Sequence, residues 1–347
     1  MFKFVGNMKK QEKIKKILFV TNYKPGRGGI SGQVEYLMRY LANEKEFDTG
    51  IFSTKGSFFH HMILLFPLIF KARGYDIVHV HGCSGYGFLP VVYGVIAGRL
   101  CRKKVIVTYH GGGAEVFLSK HPRWVRFWLM KADERVVLSG FLKAVFDKFS
   151  IPTAVIPNVV ELNGGIYAEK NVLQPHFISV RHLRNLYNIP CILRAFDRVQ
   201  KKIPDATLTV LGEGERRGEL EDFVKAGNIR NVEFLGQVPN EAIGDYLKRN
   251  DIMLSSPRED NMPVSLLEAF SAGLLVISSN VGGVPYMMEN GKTGLLFESD
   301  NDEEMAEKML WALSHQEESL RMIVNAKREV AKYSWERVGK QIKSLYI

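Results

Sequence analysis

The sequence predicts an α/β protein of two doubly wound, parallel-sheet domains facing each other across a cleft. Two observations carry this. Short apolar runs of strand length alternate with helix-period segments, the pattern of successive βαβ units with both sheet faces covered. The pattern also stops and restarts: Pro157, Asn158 and the pair Gly164-Gly165 cluster within 157–165, and a fresh strand–helix series follows. A length of 347 residues agrees with about two domains.

The first series opens with KKILFVTNY (Lys15–Tyr23), a buried strand behind a basic flank. The glycine-rich turn PGRGGISG and the helix-period run QVEYLMRYLANE follow. YDIVHVHG (Tyr75–Gly82), KKVIVTYHGGG (Lys103–Gly113) and ERVVLSG (Glu134–Gly140) are three more strands ending in glycine. In the second series HFISVRHL, ATLTVLGEG, NVEFLGQV, DIMLSSP, LLVISS and GLLFES read as six strands. IPCILRAFDRVQKK and IGDYLKRN are among the helices between them. The expected division is 1–160, 161–330 and a terminal segment 331–347, whose amphipathic YSWERVGKQIKSLYI is expected to return to the first domain. Two Rossmann-like domains leave a cleft at the C-terminal ends of their strands, where open α/β sheets bind ligands.

Composition narrows the function. Hydrophobic residues at 46 % and charged residues at 24 % exclude a disordered, collagenous or coiled-coil chain. The longest apolar runs, Met62–Phe70 and Phe88–Gly98, fall short of the ~20 residues that span a bilayer. The start, MFKFVGNMKKQEKIKK, has no apolar core of signal-peptide length. Cys83, Cys101 and Cys191 form no CxxC pair, which argues against a disulfide scaffold or a cysteine metal site and for a cytoplasmic setting. Charge divides the chain. Up to Val160 there are 24 Lys/Arg against 10 Asp/Glu; beyond it, 23 against 27. The first half is therefore expected to face something anionic. The candidates are a membrane surface, a phosphorylated lipid or nucleic acid, beside a plain solvated basic face; no zinc-finger or RNP pattern points to nucleic acid, which ranks the inner face of a membrane above it. Met62–Phe70 itself reads first as a buried helix, and the aromatic, basic stretch FLSKHPRWVRFWLMKADERVV as a packed amphipathic one.

The stretch Ser255–Pro285, SSPREDNMPVSLLEAFSAGLLVISSNVGGVP, carries the most chemistry. A strand ends at Ser255-Ser256, and a polar loop with Glu259 and Asp260 follows. Pro263 then opens a helix, where its missing N–H costs nothing. The amides of Val264 and Ser265 are left free to hold a phosphate oxygen. Glu268 lies one turn in, and Gly273 ends the helix. Two carboxylates, Asp260 and Glu268, bracket the loop-to-helix junction.

On these residues the chain resembles the family 4 retaining glycosyltransferases of the GT-B fold. Their motif, like P-x-x-x-E-G-x-P-x-x-x-L-E-A-x-A-x-G-x-P-V-I, reads here from Pro257 through Asp260, Pro263, Glu268 and Gly273 to Ile277. The second Glu is kept as Glu268, which the resemblance assigns to the donor ribose. The first is replaced by Asp260, preceded by Glu259, and either acid is a candidate for that role. GRGGISG resembles the first-domain glycine loop at the donor phosphate, which makes Gly28 and Gly29 donor candidates. YHGGGAEVF resembles the strand-end T-x-H-G/D segment, which sets His110 beside the transferred sugar. FISVRHLRNLY resembles the diphosphate-binding turn, with Arg181 and then Arg184 as the cations and Tyr187 where a Lys is usual. LGEGE, with Glu213, resembles the ribose and base loop; GQVPNEAI resembles the turn that reads the base edge. Asn261, Met262, Pro263, Val264 and Ser265 complete the donor set.

The resemblance implies retaining transfer of a sugar from a nucleotide-diphosphate donor to a hydroxyl of a glycan or lipid-linked acceptor. It implies no metal ion and no cofactor beyond the donor itself. His110, Asp260 and Glu259 are the catalytic candidates. A nucleotide-sugar 2-epimerase and a catalytically silent nucleotide-sugar-binding subunit of a transferase complex are the alternatives. A dehydrogenase is disfavoured because LGEGERRG lacks G-x-G-x-x-G spacing.

Overall fold

The computed structural model describes residues 14–25, 29–56, 63–160 and 170–347. Two six-stranded sheets frame it. The first runs in the order β2-β1-β3-β4-β5-β6, from Phe47–Ser53 (β2) and Lys15–Thr21 (β1) through Ile77–Gly82 (β3), Lys104–Tyr109 (β4) and Glu134–Val137 (β5) to Ala154–Val155 (β6). The second runs β12-β11-β10-β7-β8-β9. It comprises Leu295–Phe297 (β12), Leu275–Ser279 (β11), Ile252–Ser255 (β10), His176–Val180 (β7), Thr207–Leu211 (β8) and Val232–Gly236 (β9). Every ladder within them is parallel. This is the α/β architecture of paired Rossmann-like sheets that the sequence predicts, and all six strands read in the second half are present.

Among the described residues the first half has six strands, not the four expected. β2 hides because Asp48, Thr49 and Gly50 interrupt its apolar pattern. A Cβ at Gly50 would lie 2.0 Å from the Tyr75 hydroxyl oxygen, so a side chain there would displace that ring. β2 is nevertheless paired with β1 along all seven residues. β6 is two exposed residues, visible only through pairing with β5. The stretch 134–140 also divides. The strand stops at Val137, and Ser139 caps the helix Gly140–Lys148, its Oγ accepting from the Leu142 amide.

Helices cover both faces of the first sheet. On one face Leu18, Val20, Val78, Val80, Val105 and Val107 pack against the helices Leu65–Ala72, Leu89–Leu100 and Pro122–Met130. The run expected to be a buried helix is buried on one side only. Leu68 and Ala72 face the core, while Phe66 and Phe70 are 77 % and 76 % exposed. At 3.6 residues per turn, Ala72 shares the face of Leu68, whereas Phe66 and Phe70, two residues to either side, point away from the sheet. On the other face Ile17, Phe19, Ile77 and Ile106 meet Val338, Ile342, Leu345 and Tyr346, from and just beyond the helix Trp335–Ser344. Trp335 stacks on Tyr40 at 4.7 Å, and Lys343 Nζ pairs with Glu44 at 2.9 Å.

The two lobes are clasped where the chain passes between them. Gln33 Nε2 donates to the Val159 carbonyl and Gln33 Oε1 accepts from the Val159 amide, both at 3.1 Å. The Asn158 side chain donates to the Met262 carbonyl at 3.3 Å.

Candidate functional site

The strand ends of the two sheets border one cleft of about 300 Å³. Its second-domain wall begins at Arg181, the first residue beyond β7. The Arg181 amide donates to the Leu211 carbonyl, which ties the β7 and β8 ends together. Gly212 makes this possible: its φ is +132°, and a Cβ would sit 1.9 Å from the Arg181 carbonyl oxygen. The guanidinium lies 5.2 Å above the Tyr187 ring and its Nη2 is 2.8 Å from Asp260 Oδ2. That pair is in ionic contact without aligned hydrogen bonds. Arg181 Nε and Nη2 and Asp260 Oδ2 are buried, with no hydrogen-bond partner among the described residues. The site thus presents donor groups already stripped of water.

The helix Val264–Ala272 points its N-terminus at the same space, with Pro263, Val264 and Ser265 lining the cleft. Pro263 is the N-cap residue, one position before that expected, and makes no side-chain cap. The first amides of a helix have no acceptor within it, and Ser265 Oγ is buried and unpartnered among the described residues. Glu268 follows on the same wall. Burial pushes its carboxyl up to about 7, and the opposing pull of the Arg181 charge is the smaller effect. Glu213, Gln237, Val238, Asn240 and Ile243 extend the wall from the ends of β8 and β9. Glu213 is ion-paired with Arg217.

The first-domain wall carries Gly29, Gln33, Leu138, Asn158 and His110. Gly29, with φ +69°, precedes the helix Ile30–Ala42. Gly28 lies outside the described residues. His110 follows β4, and burial lowers its pKa to about 3, so it is neutral at ordinary pH.

The two candidate acids part company. Asp260 turns into the cleft and accepts from the Asn261 amide at 2.8 Å. Glu259 turns to the first-domain glycine turn, where a Cβ on Gly113 would lie 2.4 Å from its Oε1. Asn261 is buried behind the wall. Its side chain donates to the His110 carbonyl at 3.4 Å and its Oδ1 accepts from Ser139 Oγ. Met262 lines the cleft, and its sulfur accepts from the Asn158 amide at 3.2 Å. Gly283 passes so near that a Cβ would fall 1.8 Å from the Asn261 carbonyl oxygen, so a side chain here would push the loop. Arg184, like Glu259 and Asn261, does not line the cleft: it stands at the surface, 3.7 Å from Glu215.

Three participants escaped the sequence reading. Tyr187, noted only as a missing Lys, is the aromatic floor under Arg181. His79 and His81 were read as part of an apolar strand. Their V-H-V-H alternation is the signal that both face one side of β3. His81 Nδ1 is 2.9 Å from His110 Nε2.

Comparison with known proteins agrees with this arrangement. The profile described as "Glycosyl transferases group 1" matches residues 168–329, and that described as "Glycosyltransferase Family 4" matches 45–163. An uncharacterised glycosyltransferase of Methanocaldococcus jannaschii is 22 % identical over 96 % of this chain and 98 % of its own length. The N-acetyl-alpha-D-glucosaminyl L-malate synthase of Bacillus anthracis is 24 % identical over 78 % of this chain and 74 % of its own. Among solved structures, Anabaena HepE in complex with UDP-glucose superposes with a TM-score of 0.78 at 18 % identity, covering 95 % of this chain and 98 % of that one. With two parallel sheets bordering one cleft and the two profiles together spanning most of its length, the chain belongs to the family 4, group 1 glycosyltransferases of GT-B architecture.

Proposed function

We propose that the protein transfers a sugar from a nucleoside-diphosphate donor to an acceptor hydroxyl, with retention at the anomeric carbon and without a metal ion. One observation carries this reading: Arg181, ion-paired with Asp260 but with two nitrogens that make no hydrogen bond among the described residues, the unpartnered Ser265 Oγ and the N-terminus of the helix Val264–Ala272 meet on one wall. That is the donor set an anionic diphosphate requires. As the bond from the anomeric carbon to the diphosphate oxygen breaks, its electron pair goes to the leaving phosphate. Arg181 and the helix N-terminus stabilise that charge. The acceptor oxygen attacks from the same face and its proton passes to the departing phosphate. Asp260 holds sugar hydroxyls and steadies positive charge at the anomeric carbon, Glu268 takes the ribose hydroxyls, and the Gln237–Asn240 turn takes the base. The neighbour solved with UDP-glucose favours a uridine nucleotide.

A panel of UDP-, GDP- and ADP-sugars, assayed for release of nucleoside diphosphate with and without EDTA, tests this. The expected result is release from one donor, unchanged by EDTA. Binding of no member, or turnover abolished by EDTA and restored by a divalent cation, overturns it.

The acceptor side is read as lipid-linked. The helices Leu65–Ala72 and Pro122–Met130 both pack on Leu89–Leu100 and expose Phe66, Phe70, Trp124, Phe127 and Met130 beside Lys71, Arg123, Arg126 and Lys131. Apolar side chains interleaved with cations suit an anionic bilayer surface. Among the described residues no helix is long and apolar enough to cross a membrane. Co-sedimentation with anionic liposomes is expected to be salt-sensitive, and the binding constant to fall about 30-fold or more in Arg123→Glu/Arg126→Glu, since each basic residue adds about 1 kcal/mol near such a surface. No binding at physiological ionic strength sinks this part.

A further inference from the structure

The chemistry above leaves the two histidines of β3 without a task, yet they form a buried ladder that ends at the cleft. His79 bonds through Nδ1 to the Tyr346 hydroxyl and through Nε2 to Thr108 Oγ1, both at 2.8 Å. Its ring lies 4.4 Å from that of His81. His81 in turn meets His110 through its Nδ1 at 2.9 Å, and both β3 histidines are 2 % exposed. His81 Nε2 is buried with no partner among the described residues. His110 Nδ1 likewise has no protein partner among the described residues, but His110 lines the cleft.

We propose that His81 is a positioning residue that fixes His110 in its Nδ1–H tautomer, so that His110 offers the cleft a hydrogen-bond donor and not a base. A neutral imidazole carries one N–H, so the bond between the two rings admits two arrangements. If His110 Nε2–H donates, His81 must carry its own proton on Nε2, where it has no acceptor. If His81 Nδ1–H donates, only a lone pair is stranded on His81 Nε2, and the His110 proton moves to Nδ1. Orphaned buried N–H groups are rarer in proteins than under-satisfied acceptors. Burial keeps all three rings neutral, with His79 and His110 lowered to about 3 and His81 well below the usual histidine range. A His110 donor holds an oxygen of the sugar and leaves the acceptor's proton to the phosphate. The inference rests on the reading of the cleft as a nucleotide-sugar site. Tyr346 and Thr108 hold His79, whose ring flanks His81, so the end of the chain braces the ladder.

The test is the ¹⁵N spectrum of the full-length protein labelled in its histidine rings, with the His110 signals assigned by their loss in His110→Gln. The wild type is expected to show His110 protonated at Nδ1 and bare at Nε2. A wild-type His110 protonated at Nε2 overturns the proposal whatever the protein's activity. Should the tautomer be as stated while no nucleotide-sugar binds, the functional reading fails and the ladder stands. In turnover, His81→Leu is expected to lower kcat about tenfold with donor KM within about twofold, the loss of one hydrogen bond. His81→Asn, which keeps an amide N–H near the place of Nδ1, is expected to recover most of it. In a His110→Ala background His81→Leu should cost nothing more; a further loss there would mean a merely structural role. If His81→Leu does not fold, the wild-type spectrum and His81→Asn decide.

Discussion

Arg181→Ala is expected to lower kcat/KM by about 10²–10³, the range for losing a preorganised donor at a developing oxyanion. The guanidinium is only 11 % exposed, and two of its nitrogens have no hydrogen-bond partner among the described residues. Its removal also leaves Asp260 without its ionic partner at 2.8 Å, so a bare carboxylate would face the leaving diphosphate. The loss therefore combines a missing attraction with a new repulsion. Arg181→Lys restores charge but neither the planar fork nor the stacking on Tyr187, and is expected to recover only part of the rate. Steady-state kinetics together with calorimetric titration of the nucleoside diphosphate check this. Turnover near wild type in Arg181→Ala would remove the diphosphate from this wall.

Glu268→Ala is expected to raise donor KM about 10²-fold, the loss of charge-assisted hydrogen bonds to ribose. The carboxyl titrates at about 7 in the free protein because burial outweighs the Arg181 charge. Hydroxyl donors of a bound ribose favour the ionised form, so kcat/KM should rise with pH through about 7 and then level. Stability has the opposite slope. The folded-state pKa lies above the unfolded value of 4.5, so the folded protein holds the proton more tightly. Stability is full below about 4.5 and falls as pH rises towards 7. The total is at most about 3 kcal/mol, from 1.36 kcal/mol per pKa unit. Glu268→Gln should abolish the pH step in kcat/KM. It should also melt a few degrees higher than wild type at pH 8, with the difference fading by pH 5. Parallel melting curves and pH–rate profiles read both slopes. A variant that melts with the wild type at both pH values would place Glu268 in solvent.

Much of the frame was legible because it is written in short-range pattern. Strand-length apolar runs marked β1, β3, β4, β5 and all six strands of the second sheet. The run from Pro257 to Ile277 marked the loop and helix whose N-terminus lines the cleft. β2 was missed because Asp48, Thr49 and Gly50 break its apolar pattern, and the Gly50 surface is covered by Tyr75, 25 residues away along the chain. The aromatic helices were read as packed; periodicity shows that a helix has two faces but not that the second lacks a cover.

The sequence by itself determined the two α/β series, the break between them, the charge asymmetry and the types of residue at the cleft. Those properties follow from side-chain chemistry and from spacings of two to four residues. Which of two adjacent candidates enters the cleft was decided only by tertiary structure. Asp260 and not Glu259 meets Arg181 because the loop is wedged between Gly112 and Gly283. Arg181 and not Arg184 lines the cleft because its backbone is held by the end of β8. The ladder behind His110 closes only when Tyr346, 267 residues from His79, arrives beside it. A side chain's direction and the water it loses are set by what packs on it, and here the packing partners come from far along the chain.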